Sequence, residues 1–84
     1  MNTVDINKVN WMVVCVGEFA RNKAVDVKTA FKYLYDFGGI AFLKEHYEAE
    51  HTLSFDEAVE DLTIICEKNG GSYDVAVSWQ KTIY

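Results

Sequence analysis

The sequence predicts a mainly α protein: a compact four-helix domain followed by a C-terminal extended strand. Three observations carry this. Apolar residues recur every three or four positions through most of the chain, Gly pairs stand where that period lapses, and from Tyr73 the period shortens to two. With 84 residues, half of them hydrophobic and 14% aromatic, the chain reads as one folded domain and not a disordered segment. A core of this size rarely supplies more than roughly 3–5 kcal/mol of net stability, so association of two chains would reinforce it.

Thr3 or Asp5 caps a first helix running to about Asn22. Ile6, Val9, Val13, Val16 and Ala20 recur at helical spacing, and Met12 and Phe19 widen the stripe. The β-branched run from Trp11 to Val16 would also serve as a buried strand. Because the helical period continues on both sides of it, helix is the better reading. Arg21 and Lys23 suit the C-terminal end, where the last carbonyls attract positive charge. So wide an apolar girth makes this helix central, touched on more than one side.

Asp26 caps the second helix, with Val27, Ala30, Phe31 and Leu34 expected inward and Tyr35 alongside. Gly38-Gly39 ends it, one of the two in the left-handed conformation. A third, short helix spans Ile40 to about Ala49, with Ile40, Leu43 and Tyr47 on one face and His46 beside it. Ser54 and Glu57 form a capping box, in which the Ser hydroxyl accepts from the backbone three residues on and the Glu reaches back. The fourth helix therefore runs from Phe55 to Lys68. Its stripe is Ala58, Val59, Leu62, Ile65 and Cys66, and Asn69-Gly70-Gly71 stops it.

The remaining residues, 72–84, read as a separate extended segment beyond the helical domain of residues 1–71. Tyr73, Val75, Val77 and Trp79 alternate with small or polar residues, which is the pattern of a half-buried strand. Val75, Trp79 and Ile83 would also align on a helix. A lone strand leaves its N–H and C=O groups unpaired, so its partner is expected from a second copy of the chain or from another protein. Trp79 is the natural anchor, with Ile83 near it. Against this stands a tail folded back on its own helices.

Charge and cysteine usage exclude several classes. A net charge of −5, with scattered basic residues, argues against nucleic acid. Cys15 and Cys66 fall on apolar stripes and read as small buried hydrophobes, neither a disulfide framework nor activated nucleophiles. The apolar run Trp11–Val16 is too short for a membrane span or a signal core, so the chain reads as cytoplasmic. Gly38-Gly39 lacks the further Gly, Lys and Ser or Thr of a phosphate loop.

Most polar residues with assignable roles gather between Tyr47 and Glu57. His46 and His51 lie five apart, whereas zinc helices need two His four apart on one face, and the inverted His-x-x-Glu-His motif is missed by one residue. No metal or other cofactor is expected. A structural corner accounts for these residues better. His51 can hydrogen-bond carbonyls left open where the third helix ends, or donate to Glu48, and Thr52 can serve the same backbone. Tyr47, His51, Thr52, Ser54 and Glu57 make up that corner. Beyond it, Asp56, Glu57, Glu60 and Asp61 form the densest acidic cluster. Asp56–Glu60 and Glu57–Asp61 are like-charge pairs four apart, each costing roughly 0.2–0.5 kcal/mol, partly offset by the helix N-terminus. Such a cluster is a solvated face by default; the sharper reading of Asp56, Glu60 and Asp61 is a docking surface for a basic protein.

These residues also carry a resemblance. Glu18-Phe19-Ala20, a capped second helix, a Gly-led third helix, Tyr47-x-x-x-His51-Thr52 and an acidic residue before Leu62 together resemble the small bacterial domain-of-unknown-function family 3791. The likeness covers roughly residues 9–68. The family usually has Leu before that His and Gln after the Thr, where this chain has Glu50 and Leu53. Some members are encoded beside ADP-ribosyltransferase-like proteins. The resemblance therefore implies a non-enzymatic interaction module, antitoxin-like, neutralising a basic, nucleotide-binding, toxin-like partner. A self-associating structural protein, with a homodimer formed through the C-terminal segment, is the alternative; a small hydrolase or metal protein stands behind both.

Overall fold

The computed structural model describes the backbone of residues 3–71 and the side chains of residues 7–71. They form five helices: α1 (Thr3–Lys23), α2 (Val27–Asp36), α3 (Gly39–Glu45), α4 (Tyr47–Glu50) and α5 (Phe55–Lys68). The expectation of four helices is corrected at His46, where φ −110° and ψ 23° interrupt the third. The His46 N–H still donates to Phe42, closing α3, and the chain then restarts as the single turn α4. Among the described residues there is no strand. The expected strand with Tyr73, Val75, Val77, Trp79 and Ile83 lies outside them, as does the whole segment 72–84.

The run Trp11–Val16 is helical, within α1. That helix packs on α2, α3 and α5, so it is the central element its girth suggested. It stops without a Gly. Ala24 takes the left-handed conformation at φ 58°, letting Val25 N–H reach Ala20 O (3.0 Å) and Ala24 N–H reach Arg21 O (3.2 Å). This is the Schellman pattern with Ala in the usual Gly place, which a Cβ makes less favourable. The other ends follow the chemistry of the sequence. Asp26 accepts from Thr29 N (2.6 Å) to open α2, and that contact is first among the causes that hold its carboxyl below the usual range. Ser54 accepts from Glu57 N (3.1 Å) to open α5. At the far end of α5, Gly70 sits at φ 95° while Gly71 N–H donates to Cys66 O and Gly70 N–H to Glu67 O.

The core gathers Cys15, Val16, Phe19 and Ala20 from α1, Ala30, Tyr33 and Leu34 from α2, Leu43 from α3, and Ala58, Val59, Leu62 and Cys66 from α5. In α2 the expected inward stripe is rotated. Thr29 and Tyr33 are buried with Ala30 and Leu34, while Val27, Phe31 and Tyr35 face outward. Tyr33 turns inward because its ring stacks on Phe19 (5.8 Å between centroids) and meets Phe37 (5.1 Å), close to Gly71. The α2–α3 junction requires its glycines. Gly38 is left-handed at φ 82°, and a Cβ on Gly39 would come within 2.7 Å of Leu34 Cδ2 and 3.2 Å of Cys66 Sγ. Asn69 Nδ2 donates to Phe37 O (2.9 Å), tying the end of α5 to the end of α2.

Candidate functional site

The corner between α3 and α5 is built around Tyr47. Its ring meets Trp11 edge-on (5.4 Å), stacks against His51 (4.5 Å), and lies under the Lys8 ammonium (5.8 Å). The helical spacing Tyr47–His51 stacks the two rings and directs the His51 Nδ1–H to the Tyr47 carbonyl (2.7 Å). Because a carbonyl can only accept, this contact fixes the proton on Nδ1. Thr52 Oγ1 donates to Ala49 O (2.7 Å). Two carbonyls at the end of α4 are thus satisfied by side chains. His46 and His51 do different things: the former packs its ring on Phe42 (4.8 Å) beyond the end of α3. Since His51 is exposed, His51→Ala should cost only about 0.5–1.5 kcal/mol, the net worth of one hydrogen bond. Chemical denaturation reads this directly, and an unchanged midpoint would show that the contact contributes nothing.

Glu50, one residue before His51, is the feature least expected from composition. Its side chain belongs to a residue only 7% exposed, and Oε1 has no hydrogen-bond partner among the described residues. Burial pushes its carboxyl up, and a hydrogen bond with Asp61 and the negative charges of Asp61 and Glu57 push it further, to about 7. A carboxyl there is neutral over much of the range where an exposed Glu is charged. Asp61 is half-buried, and its negative charge bears on Glu50. Asp56, Glu57 and Glu60 remain exposed. Asp56, Glu60 and Asp61 line a cleft of about 510 Å³ with Asn22, Lys23, Val59, Thr63 and Ile64.

Cys15 and Cys66 are free and fully buried. Burial first, then Glu50 and Glu18, push the Cys15 thiol up to about 12, and burial pushes Cys66 to about 11. Both stay protonated at neutral pH, and a thiol is a poor nucleophile. Among the described residues no group of three or more His, Cys, Asp or Glu is placed to hold a metal ion. None of the described helices is long and apolar enough to cross a membrane.

The surface feature that the apolar pattern concealed lies between α1 and α2. Val9, Met12, Val13 and Val16 from α1, Val27 and Phe31 from α2, and Ile40 from α3 line an open groove of about 280 Å³. Val9 is 53% exposed, Val13 64% and Phe31 49%. Val9 and Val13 were expected inward. They are apolar at helical spacing, yet the core takes Val16 and Ala20 from their stripe together with Cys15 and Phe19, and leaves Val9 and Val13 outside.

No solved structure and no curated protein matches the chain significantly. The model of one family does, described as a protein of unknown function (DUF3791), over residues 10–69. That span contains the end of α1's exposed stripe, all of α2 to α5, the Tyr47 corner and the Glu50–Asp61 pair. The chain belongs to the DUF3791 family of proteins of unknown function.

Proposed function

We propose that this chain is a cytoplasmic, non-enzymatic protein-binding module, an antitoxin-like partner of an ADP-ribosyltransferase-like protein. The observation that carries the binding role is the exposed apolar groove beside α1, because a domain this small gains nothing in stability from Val13 and Phe31 left in water. Support against an enzymatic role comes from the buried, protonated thiols and from a His51 ring already engaged by backbone. The nature of the partner rests on the resemblance of the Tyr47-x-x-x-His51-Thr52 region to proteins encoded beside such transferases. The test is to mix the chain with an ADP-ribosyltransferase-like protein encoded beside it. A complex of defined stoichiometry and suppressed transfer of ADP-ribose from NAD are expected; no complex at micromolar concentrations would overturn the proposal.

In this reading the exposed acids at the start of α5 face the partner's basic cleft. Reversing Asp56 and Glu60 to Lys should leave the fold intact, since both are exposed. It should slow association and flatten its salt dependence, as charges at the rim of an interface do. Asp61 is left out of this variant because its contact with Glu50 would confound stability with binding. Association rates unchanged at low salt would return the cluster to a solvated face.

A further inference from the structure

We infer that the groove between α1 and α2 is a docking site for an amphipathic helix whose flank is acidic. The inference rests on the protein-binding reading above and adds the surface and the chemistry of what it takes. Four α1 residues, Val9, Met12, Val13 and Val16, stand at i, i+3, i+4 and i+7, so one wall is an apolar stripe two turns long. The facing wall is Val27 and Phe31, one turn apart on α2, with Ile40 of α3 also lining the groove. Such a surface matches the i, i+3, i+4, i+7 anchors of an incoming helix. It does not suit strand addition. Both long walls are side-chain faces of helices whose backbone groups are already bonded, and no sheet edge exists among the described residues. Nor does it suit a small polar ligand, because among the described residues no polar side chain lines the groove to orient one.

Charge selects the flank. The chain carries 13 acidic residues against 8 basic ones, so an average patch of its surface is negative. The groove is an exception. It continues into a second cavity of about 350 Å³ that shares Val9 and Met12 and is completed by Lys8 and Lys44. Among the described residues no acidic side chain lines either cavity. The Lys8 ammonium also lies over the Tyr47 ring, 5.8 Å from its centroid. An apolar groove ending in two lysines, on a protein of net charge −5, complements a helix with Leu-like anchors and Glu or Asp beside them. A second copy seated groove to groove would instead bring together two chains that each carry a charge of −5.

The test titrates the full chain, isotopically labelled, with a synthetic helical peptide of about four turns. The peptide bears Leu at i, i+3, i+4 and i+7 and Glu on the flanks; a control carries Lys in place of Glu. The acidic peptide should shift the resonances of Val9, Val13, Val27 and Phe31 and bind at least about tenfold more tightly than the basic one at low salt. Val13→Asp and Phe31→Asp sit at exposed positions and should keep the fold while weakening binding about tenfold or more. Lys8→Glu with Lys44→Glu should invert the preference between the peptides. Equal affinity for both, or shifts confined to other surfaces, would overturn the inference. So would a dimer in sedimentation that Val13→Asp dissociates, since a second copy would then be the occupant. A transferase complex left intact by Val13→Asp, with no peptide preference, would sink the groove alone. Peptide binding as described without any transferase complex would sink the proposed partner and leave the groove standing.

Discussion

Leu62→Ala should lower stability by about 3 kcal/mol or more and leave much of the protein unfolded at physiological temperature. Leu62 has no solvent exposure and lies on the stripe by which α5 packs against α1 and α3. It shares the core cluster with Phe19, Leu34 and Leu43, themselves fully buried. Removing a buried Leu side chain loses its transfer free energy and leaves a cavity that surrounding groups close only in part, typically 2–5 kcal/mol in all. The consequence is amplified by size, because a domain of this length has roughly 3–5 kcal/mol to lose. Ile64→Ala, two residues away on the same helix but 55% exposed, serves as the control and should cost well under half as much. Urea unfolding followed by helical circular dichroism distinguishes the two. A Leu62→Ala midpoint indistinguishable from that of Ile64→Ala would mean that α5 does not close this core.

Where the sequence marks an element end with a specific side chain, the fold was legible. Asp26, Ser54, Gly38 and the Asn69-Gly70-Gly71 stop each name a backbone group that needs a partner or a left-handed residue, and each boundary falls there. Where an end has no such mark it was not legible. Ala24 turns left-handed to finish α1 although nothing in its side chain favours it, and His46 divides α3 from α4 without Gly or Pro. Faces were harder still. In α1 the stripe through Val9, Val13, Val16 and Ala20 and the Cys15–Phe19 line are both apolar, and periodicity cannot say that Val9 and Val13 stay outside while Val16 and Ala20 join Cys15 and Phe19 in the core. In α2, hydropathy ranks Phe31 above Tyr33, but the aromatic contacts of Tyr33 with Phe19 and Phe37 exist only in the folded chain. The Tyr47–His51–Thr52 corner could be read because its contacts are local, three or four residues apart. Glu50 escaped because a Glu reads as exposed. Its signal was spacing: it continues the Leu43–Tyr47 face at i+7 from Leu43, and it occupies the place where the resembling proteins usually carry Leu.

That buried Glu sets the second large effect, a loss of stability as pH rises through neutrality. The Glu50 carboxyl moves from an ordinary value of 4.5 to about 7 in the folded protein, chiefly by burial and then by Asp61 and Glu57. A raised carboxyl means that the folded state holds the proton more tightly than the unfolded chain. Stability then falls with pH wherever the folded state binds more protons. The contribution is fully present below about 4.5 and is lost as pH climbs through about 7. A displacement of this size corresponds to roughly 3 kcal/mol between those limits. Other shifted groups act in different windows: Asp26 below its ordinary 3.8, and the two thiols above their ordinary 9.0. Among the described residues, Glu50 is the shifted group whose window falls between pH 5 and 8. Glu50→Gln keeps the shape and the capacity to hydrogen-bond Asp61 but cannot ionise. It should melt within a few degrees of the parent at pH 5, and be more stable than the parent by roughly 2–3 kcal/mol at pH 8. Glu50→Leu, which also removes the buried charge, should flatten the same profile. Melting curves across this range, with a carboxyl carbon titration of Glu50 by NMR, decide the matter. A parent whose melting temperature stays level or rises from pH 5 to 8 would show that Glu50 ionises in the fold as freely as it does in the open chain.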